Sequence, residues 1–429
     1  MTKHIMYQKN MMLRALCIGA VSLWAASARA QTATTTAPAT AAPAAAAPVA
    51  PGAPAAAAVP VAPAAAPTSP VSTPSMAGPL TVNLKPESFD IPDFGKIYVS
   101  GAVTGLALTE DYAFPGDRKE LADVSNAQVF IQKVDGVFQF FIQAGVYSLP
   151  ALGAPYLTAG NATNDFYGPL PQAFIKIAPN SSFSIEAGKL PTLMGAEYTF
   201  TFENMNIERG LLWNQENAVN RGVQANYTAG PVAFSASWND GFYSNRFNWY
   251  SGSATWTVNS ANTLALVIMG NAGKTGYGTI ATPLYQNNDK QMDCLIYTYS
   301  SGAWIVQPYL QYCDTNSGAD IGIAKASSTS GAGLLVNYAV PNTSFNLAGR
   351  AEYISSSGSA TDGSVNMLYG PGSKAWSLTF TPTYQVGVLF TRAEISLVQA
   401  SSTTSGMALG PTGTNRSQTR FAIEAGILF

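Results

Sequence analysis

The sequence predicts an all-β protein, a transmembrane antiparallel β-barrel, and three observations point to it. From residue 94 onward no stretch of about 18 apolar residues occurs, so no membrane-spanning helix is expected there. Short segments instead alternate apolar and polar residues, as strands with one face toward lipid and one toward water require. The connections between them are alternately short and long, which is typical of periplasmic turns and external loops in outer-membrane barrels.

Residues 1–30 have the features of a secretory signal peptide. Basic residues precede an apolar run that ends at the small-x-small site Ala28-Arg29-Ala30. Its removal takes four of the 22 Lys and Arg residues and none of the 24 Asp and Glu residues, which leaves a net charge of −6. Nucleic acid is therefore not an expected partner. We expect export to the outer membrane of a Gram-negative bacterium.

The chemistry of the exported chain is restricted by the loss of its one histidine. His4 leaves with the signal peptide, so Ser-His or Cys-His pairs and histidine metal ligands are excluded. We therefore expect no enzyme, no metal and no cofactor. Cys294 and Cys313 remain, and a simple hairpin register would place Cys294 opposite roughly Pro308. Cys313 would then be too far away for a disulfide, so both are expected to be thiols.

Residues 31–93 are predicted to form an Ala/Pro-rich disordered periplasmic linker. Up to about residue 79 this segment carries no charged side chain, and its prolines interrupt any helix that the alanines favour. Such a composition cannot bury a core. Two roles stay open, a tether that reaches peptidoglycan and a passive spacer.

Residues 94–429 are predicted to form the barrel. The clearest hairpin lies at 127–146, where apolar residues alternate with glutamines around a tight Asp135-Gly136 turn. Pro308 and Pro382 fall inside predicted strands, where we expect bulges or shifted strand ends. The pattern predicts sixteen strands, with fourteen or eighteen as alternatives, at approximately 96–107, 124–134, 137–147, 171–178, 182–189, 221–229, 232–240, 247–258, 262–270, 290–299, 303–312, 331–340, 344–354, 374–384, 387–399 and 418–429.

The last predicted strand has the pattern of a barrel-closing strand. Its polar parity includes Arg420 and Glu424, which would face the lumen. Its apolar parity, which would face outer-membrane lipid, includes Phe421, Ile423, Ile427 and Phe429. A terminal aromatic residue after alternate apolar residues resembles the C-terminal signature that the barrel assembly machinery reads. We expect these four residues to serve barrel closure and assembly.

The longest connection, residues 190–220, is the third long one. In sixteen-stranded porins the third external loop folds inward and narrows the pore, and we expect the same here. Acidic loop residues would then face arginines of the later strands and create a transverse field that orders small polar solutes. A compatible alternative is that these charges only pin the loop to the wall. The predicted constriction set is Glu197, Glu203, Glu208, Arg209, Arg221, Arg350, Arg392 and Arg420.

Four short motifs near this loop carry a family resemblance. They are GKLPTLMGAE at 188–197, RGLLW at 209–213, NRGVQ at 220–224 and NDGF at 239–242. With the general pattern over about 94–429, they resemble the OmpL-like putative beta-barrel porin family. The Ala/Pro linker is not part of that pattern. The resemblance implies a barrel through which small hydrophilic solutes diffuse without a cofactor.

From these features we expect an outer-membrane porin with a constricted, charge-lined pore for passive diffusion. Two alternatives share the fold, a channel selective for sugars or carboxylates and a structural barrel tethered to the cell wall. An outer-membrane lipase would need a nucleophile and a base, and the absence of histidine argues against it. A homotrimer is an open option that no residue of the sequence decides.

Overall fold

The computed structural model describes residues 74–76, 78–83, 85–276 and 289–429, and within them the chain forms a closed antiparallel barrel. The predicted signal peptide and most of the predicted linker, residues 1–73, lie outside the described residues. The strands are β1 (Glu87–Ile91), β2 (Gly95–Glu110), β3 (Glu120–Lys133), β4 (Phe138–Tyr147), β5 (Gln172–Asn180), β6 (Phe183–Pro191), β7 (Val219–Ala229), β8 (Val232–Asn239), β9 (Trp249–Asn259), β10 (Asn262–Asn271), β11 (Lys290–Ser301), β12 (Trp304–Thr315), β13 (Ser327–Ala339), β14 (Phe345–Ser356), β15 (Lys374–Val386), β16 (Leu389–Ser401) and β17 (Ser417–Leu428).

Sixteen of these strands, β2 to β17, form the wall. Each pairs with the next in antiparallel register, and β17 returns to β2 with Arg420 opposite Glu110 and Leu428 opposite Ala102. The prediction of sixteen strands is confirmed, and fourteen and eighteen are excluded. Helical structure in the described residues includes one short α-helix, α1 (Ala159–Ala162), which leads into a π-helical turn. None of the described helices has the length and apolar character needed to cross a membrane.

The two faces of the wall divide as the alternation predicts. On β17, Phe421 and Ile423 are 44% and 45% exposed on the outer face. Arg420 and Glu424 are at most 1% exposed on the lumen face. The apolar outer face can meet lipid, because every wall strand has two hydrogen-bonded neighbours and the barrel has no open edge.

Two expectations about strand irregularities are wrong. Pro308 and Pro382 lie inside β12 and β15 without a bulge or a shifted end. Pro308 pairs regularly with β13, and Pro382 pairs regularly with β14. Toward β11 and β16, respectively, the pairing skips two positions and resumes in the same register. The missing N–H therefore interrupts pairing locally, since the longer ladder on both sides holds the strands in register.

The predicted register of the two cysteines also needs correction. Cys294 lies opposite Gln311, and Cys313 lies opposite Met292 on the same hairpin. The thiols are therefore only two positions apart on neighbouring strands, closer than the sequence suggested, because the turn lies at residues 302–303 and not at the predicted 300–302. Both cysteines are buried and neither forms a disulfide.

Ordered structure begins before residue 94. Strand β1, which falls inside the predicted linker, pairs with the first residues of β2, from Glu87 opposite Val99 to Ile91 opposite Gly95. Strand β17 pairs with the same edge of β2 beginning at Ala102. Strand β1 therefore continues the line of β17 beyond the C-terminus, at the end of the barrel that carries the short turns. That end is periplasmic by the usual geometry of these barrels.

The seam between β17 and β2 depends on a glycine. The Phe429 and Gly101 backbones exchange two hydrogen bonds of 2.7 and 2.9 Å. A Cβ on Gly101 would lie 2.5 Å from the Gln128 carbonyl oxygen and 2.5 Å from the Phe429 ring. At Gly105 on the same strand, the nearest atom to such a Cβ is 3.9 Å away.

Gly101→Val should therefore impair barrel closure, whereas Gly105→Val should not. Overpacking against backbone costs about 1–3 kcal/mol, which favours an unclosed barrel during refolding. The folded fraction can be measured by heat-modifiable migration on gels after refolding into detergent. Equal folded fractions for the two variants would show that the seam tolerates a side chain at Gly101.

Candidate functional site: the lumen constriction

The connection between β6 and β7, residues 192–218, lies inside the barrel, and we call it loop 3. Every residue from 190 to 220 is buried, which confirms the predicted inward fold of the third long loop. Two single 3₁₀ turns, Thr201–Glu203 and Trp213–Gln215, interrupt an otherwise irregular path. Because irregular backbone at membrane depth needs hydrogen-bond partners, the loop must obtain them from the wall.

Two wall glutamates supply acceptors for the loop backbone. The Glu394 carboxylate accepts the N–H groups of Ile207 and Glu208 at 2.5 and 3.0 Å. The Glu352 carboxylate accepts those of Leu211 and Leu212 at 2.8 and 3.0 Å. Each carboxylate therefore replaces the backbone partner that a helix or strand would have supplied.

Arg350 on β14 holds loop 3 at two points, one in each half of the loop. Its guanidinium donates to the Glu197 carboxylate at 2.5 Å and to the Glu208 carbonyl oxygen at 2.7 Å. It also lies 3.3 Å from Glu352 on its own strand. All these side chains are buried, so removal of one partner would leave an uncompensated buried charge and cost more than the same change at the surface.

Arg420 on β17 joins the wall to two loops. It donates to Glu110 of β2 at 2.5 Å and to Glu208 of loop 3 at 2.9 Å. Its remaining hydrogen bonds reach the carbonyl oxygens of Ala151 and Ala154, in the loop after β4, at 2.7 and 2.6 Å. One side chain therefore ties together the closing seam and both inward loops.

Arg392 on β16 holds the tip of loop 3. Its guanidinium pairs with Glu424 of β17 at 2.6 Å and donates to the carbonyl oxygens of Thr201 and Asn204 at 2.6 and 3.0 Å. The Thr201 hydroxyl in turn donates to Glu424 at 2.5 Å. The tip is thus bound to the wall through both its backbone and a side chain.

Two further members of the predicted set, Glu203 and Arg209, are buried in loop 3. They take no part in the ion pairs described above. Glu203 accepts the Phe200 N–H at 3.0 Å and closes the 3₁₀ turn. The Arg209 guanidinium lies over the Trp213 ring, 4.9 Å from its centre, and among the described residues it donates no side-chain hydrogen bond. Burial lowers the pKa of Arg209 to about 10, against the attraction of nearby carboxylates, so it stays charged at neutral pH.

Arg221 is not brought into this group. It lies on the same parity as the exposed Val223 of β7, with its side chain directed away from the lumen. Its guanidinium pairs with Asp240 at 2.7 Å and stacks on the Tyr243 ring at 3.9 Å. The alternation of apolar and polar residues along β7 already indicates an outward side chain at Arg221. The prediction that Arg221 belongs to the constriction relied instead on its position next to loop 3, and it is wrong.

Four glutamates of the wall, which the sequence interpretation did not include, complete the site. Three of them share a strand and a parity with a predicted arginine, so an Arg/Glu alternation was readable in the sequence. The fourth lies at the end of β2, beyond the predicted end of that strand. These residues are Glu110, Glu352, Glu394 and Glu424.

The constriction is therefore an interleaved network of both charges, with wall and loop each contributing acids. Aromatic packing fills the space beside it. The ring centres of Phe202 and Phe130 of β3 are 5.7 Å apart in a tilted pair, and those of Phe200 and Tyr147 of β4 are 5.1 Å apart, edge to face. Toward the short turns the lumen is more open. Partly exposed lumen-facing side chains there are Gln139, Lys176, Thr257, Ile305, Asn346 and Gln385.

Comparisons with known proteins agree with this architecture. A family model described as "Putative beta-barrel porin-2, OmpL-like" matches residues 96–429. No curated protein matches the chain.

Solved outer-membrane proteins share the fold at low sequence identity. OmpT of Vibrio cholerae superposes with a TM-score of 0.55 at 12% identity, over 80% of this chain and 100% of that one. An anion-selective porin from Comamonas acidovorans gives 0.51 at 11% identity, over 80% and 100% of the two chains. A trimer form of in-vitro folded V. cholerae OmpT gives 0.50 at 11% identity, over 78% and 99%.

Proposed function

Because this chain belongs to the OmpL-like putative β-barrel porin family and is an outer-membrane porin, we propose that its pore is a narrow, charge-lined constriction. Small hydrophilic solutes would cross it by passive diffusion. The observation that carries the proposal is the position of loop 3 inside a sixteen-stranded barrel. A barrel of that size is too wide to be filled by its own side chains, so an inward loop sets the width of the path.

The charges proposed to line the constriction are those of loop 3 and of the wall that faces it. From the predicted set these are Glu197, Glu203, Glu208, Arg209, Arg350, Arg392 and Arg420, and the wall adds Glu110, Glu352, Glu394 and Glu424. Carboxylates outnumber guanidinium groups, which favours cations over anions in the path. A preference for cations is therefore the proposed selectivity.

Charge selectivity offers the direct test, with planar-bilayer recording of the refolded barrel in a salt gradient. Glu203→Gln should shift the reversal potential toward anions and Arg209→Gln toward cations, because each removes one lumen charge. Neither side chain is part of the arginine contacts that hold the loop to the wall, so the pore width should change little. An absence of conductance steps from folded, inserted protein, both with residues 74–83 present and with them deleted, would overturn the porin proposal.

The tightly packed constriction favours one second candidate, a barrel with a structural role and no conductance. A channel selective for sugars or carboxylates is distinguished differently, by conductance that one solute blocks in a saturable manner. The same recordings therefore separate the three functions.

The remaining expectations about partners and export belong to the same proposal. The trimer form of V. cholerae OmpT supports a homotrimer, which chemical cross-linking in detergent would test. Insertion by the barrel assembly machinery, contact with outer-membrane lipid, cleavage of residues 1–30 and an approach of the linker to peptidoglycan are proposed from the sequence. We also propose that the protein is not an enzyme.

A further inference from the structure

A segment from the predicted linker enters the barrel at the end with the short turns. The segment comprises the described residues 74–76 and 78–83, just before β1, and we call it the N-terminal segment. Its apolar side chains join the same buried cluster as the side chains of loop 3. Its buried members are Ser75, Met76, Leu80 and Val82, at 1%, 7%, 2% and 7% exposure.

The N-terminal segment contacts the tip of loop 3 directly. The Gly78 N–H donates to the Glu203 carbonyl oxygen at 3.1 Å. A Cβ on Gly78 would lie 2.4 Å from the Asn204 carbonyl oxygen, so only glycine permits this approach. The same Asn204 oxygen accepts from Arg392 of the wall at 3.0 Å. The loop tip is therefore held between the wall on one side and the N-terminal segment on the other.

A second contact fixes the N-terminal segment to the mouth of the barrel. The Thr81 N–H donates to Gln385 Oε1 at 2.9 Å, and Gln385 Nε2 donates to the Thr81 carbonyl oxygen at 2.8 Å. Gln385 is the second-last residue of β15 and faces the lumen, among the partly exposed side chains of the periplasmic mouth. One side-chain amide thus holds the backbone of Thr81 as a neighbouring strand would.

We propose that the N-terminal segment is a plug, which enters through the periplasmic mouth, blocks the lumen beneath loop 3 by docking on the loop's tip, and opens the pore when it leaves. The inference rests on the proposed pore function. Strand β1 keeps the segment beside its docking place, because it is paired with β2 immediately downstream. The docked segment is held by its backbone bond to loop 3, by the exchange with Gln385 and by the burial of its apolar side chains. The strands of the wall are paired with one another independently of these contacts, so the segment can leave without unfolding the wall.

The variant that tests the plug is Gly78→Val in the full-length protein, because the new side chain would collide with the loop backbone. Deletion of residues 74–83 is the second variant, and Gly160→Val is the matched control, since no atom lies within 4 Å of a Cβ there. In planar bilayers, the plug variant and the deletion should each spend severalfold more time in the open state. The control should match the wild type.

A peptide assay makes the test independent of folding defects. A synthetic peptide of residues 74–83, added to the deletion variant, should restore closure from the periplasmic side only. The same peptide with Gly78→Val should have no effect. If the variants spent the same time in the open state as the wild type, and the peptide had no effect on them, the plug would be overturned and the pore would stand. Silence of every folded protein would instead refute the pore, and the plug with it.

Discussion

Arg420→Gln should destabilise the barrel and loosen its constriction. The substitution leaves the buried carboxylates of Glu110 and Glu208 without their guanidinium partner, and it removes donors from the Ala151 and Ala154 carbonyl groups. Breaking a buried ion pair by removing one partner costs about 3–5 kcal/mol. Urea unfolding of the barrel in detergent micelles should show this loss, and single-channel records should become larger and noisier as both loops detach.

The matched control for this prediction is an exposed ion pair. Lys325 pairs with Asp362 at the surface, and its side chain is 53% exposed. Exposed pairs contribute little to stability because water and salt screen them, so Lys325→Gln should unfold close to the wild type. If Arg420→Gln unfolded at the same urea concentration as the control, the buried arginine would not be holding the loops to the wall.

Removal of most of loop 3 should give the largest change in conductance. Replacing residues 196–210 with a short Gly-Ser linker deletes the residues that meet Arg350, Arg392 and Arg420. The sixteen-stranded wall would then enclose a water-filled channel, because its own side chains cannot fill it. Single-channel conductance should increase severalfold, with steps that stay uniform in size.

An exposed loop supplies the control for the excision. The connection between β12 and β13 is mostly exposed, so shortening it at residues 317–325 removes a similar external feature without emptying the lumen. Its conductance should equal that of the wild type. Unchanged conductance after excision of loop 3, in protein that migrates as a folded barrel, would show that another element sets the width of the pore.

The strands of the barrel were predictable because the information for them is local. A two-residue period places apolar side chains on the lipid face within each segment, and no distant residue is needed to read it. The last strand shows this, since Phe421 and Ile423 lie outside and Arg420 and Glu424 lie inside as their spacing requires. The inward fold of loop 3 was predicted from its length and its position in the order of connections.

The partners within the lumen were not predictable in the same way. Arg350 meets Glu197 across 153 positions of sequence, and Arg392 meets the Thr201 carbonyl across 191. Such pairs depend on how far loop 3 crosses the barrel and on the register of all the strands between them. Strand parity places Glu352, Glu394 and Glu424 on the lumen face. Nothing in the local sequence shows that Glu352 and Glu394 accept N–H groups of the loop backbone.

The sequence by itself determined an antiparallel barrel of about sixteen strands, the faces of those strands and the strand that closes the barrel, because alternation along each strand decides which side chains meet lipid. The structure decided the count, since fourteen and eighteen strands had stayed open. The tertiary structure alone decided that β1 extends the seam and that the N-terminal segment enters the mouth. The physical reason in the case of the N-terminal segment is that it has no charged residue and no periodic pattern of its own. Its place is decided by distant partners, since the glycine at position 78 approaches the Asn204 carbonyl and the Gln385 amide holds the backbone of Thr81.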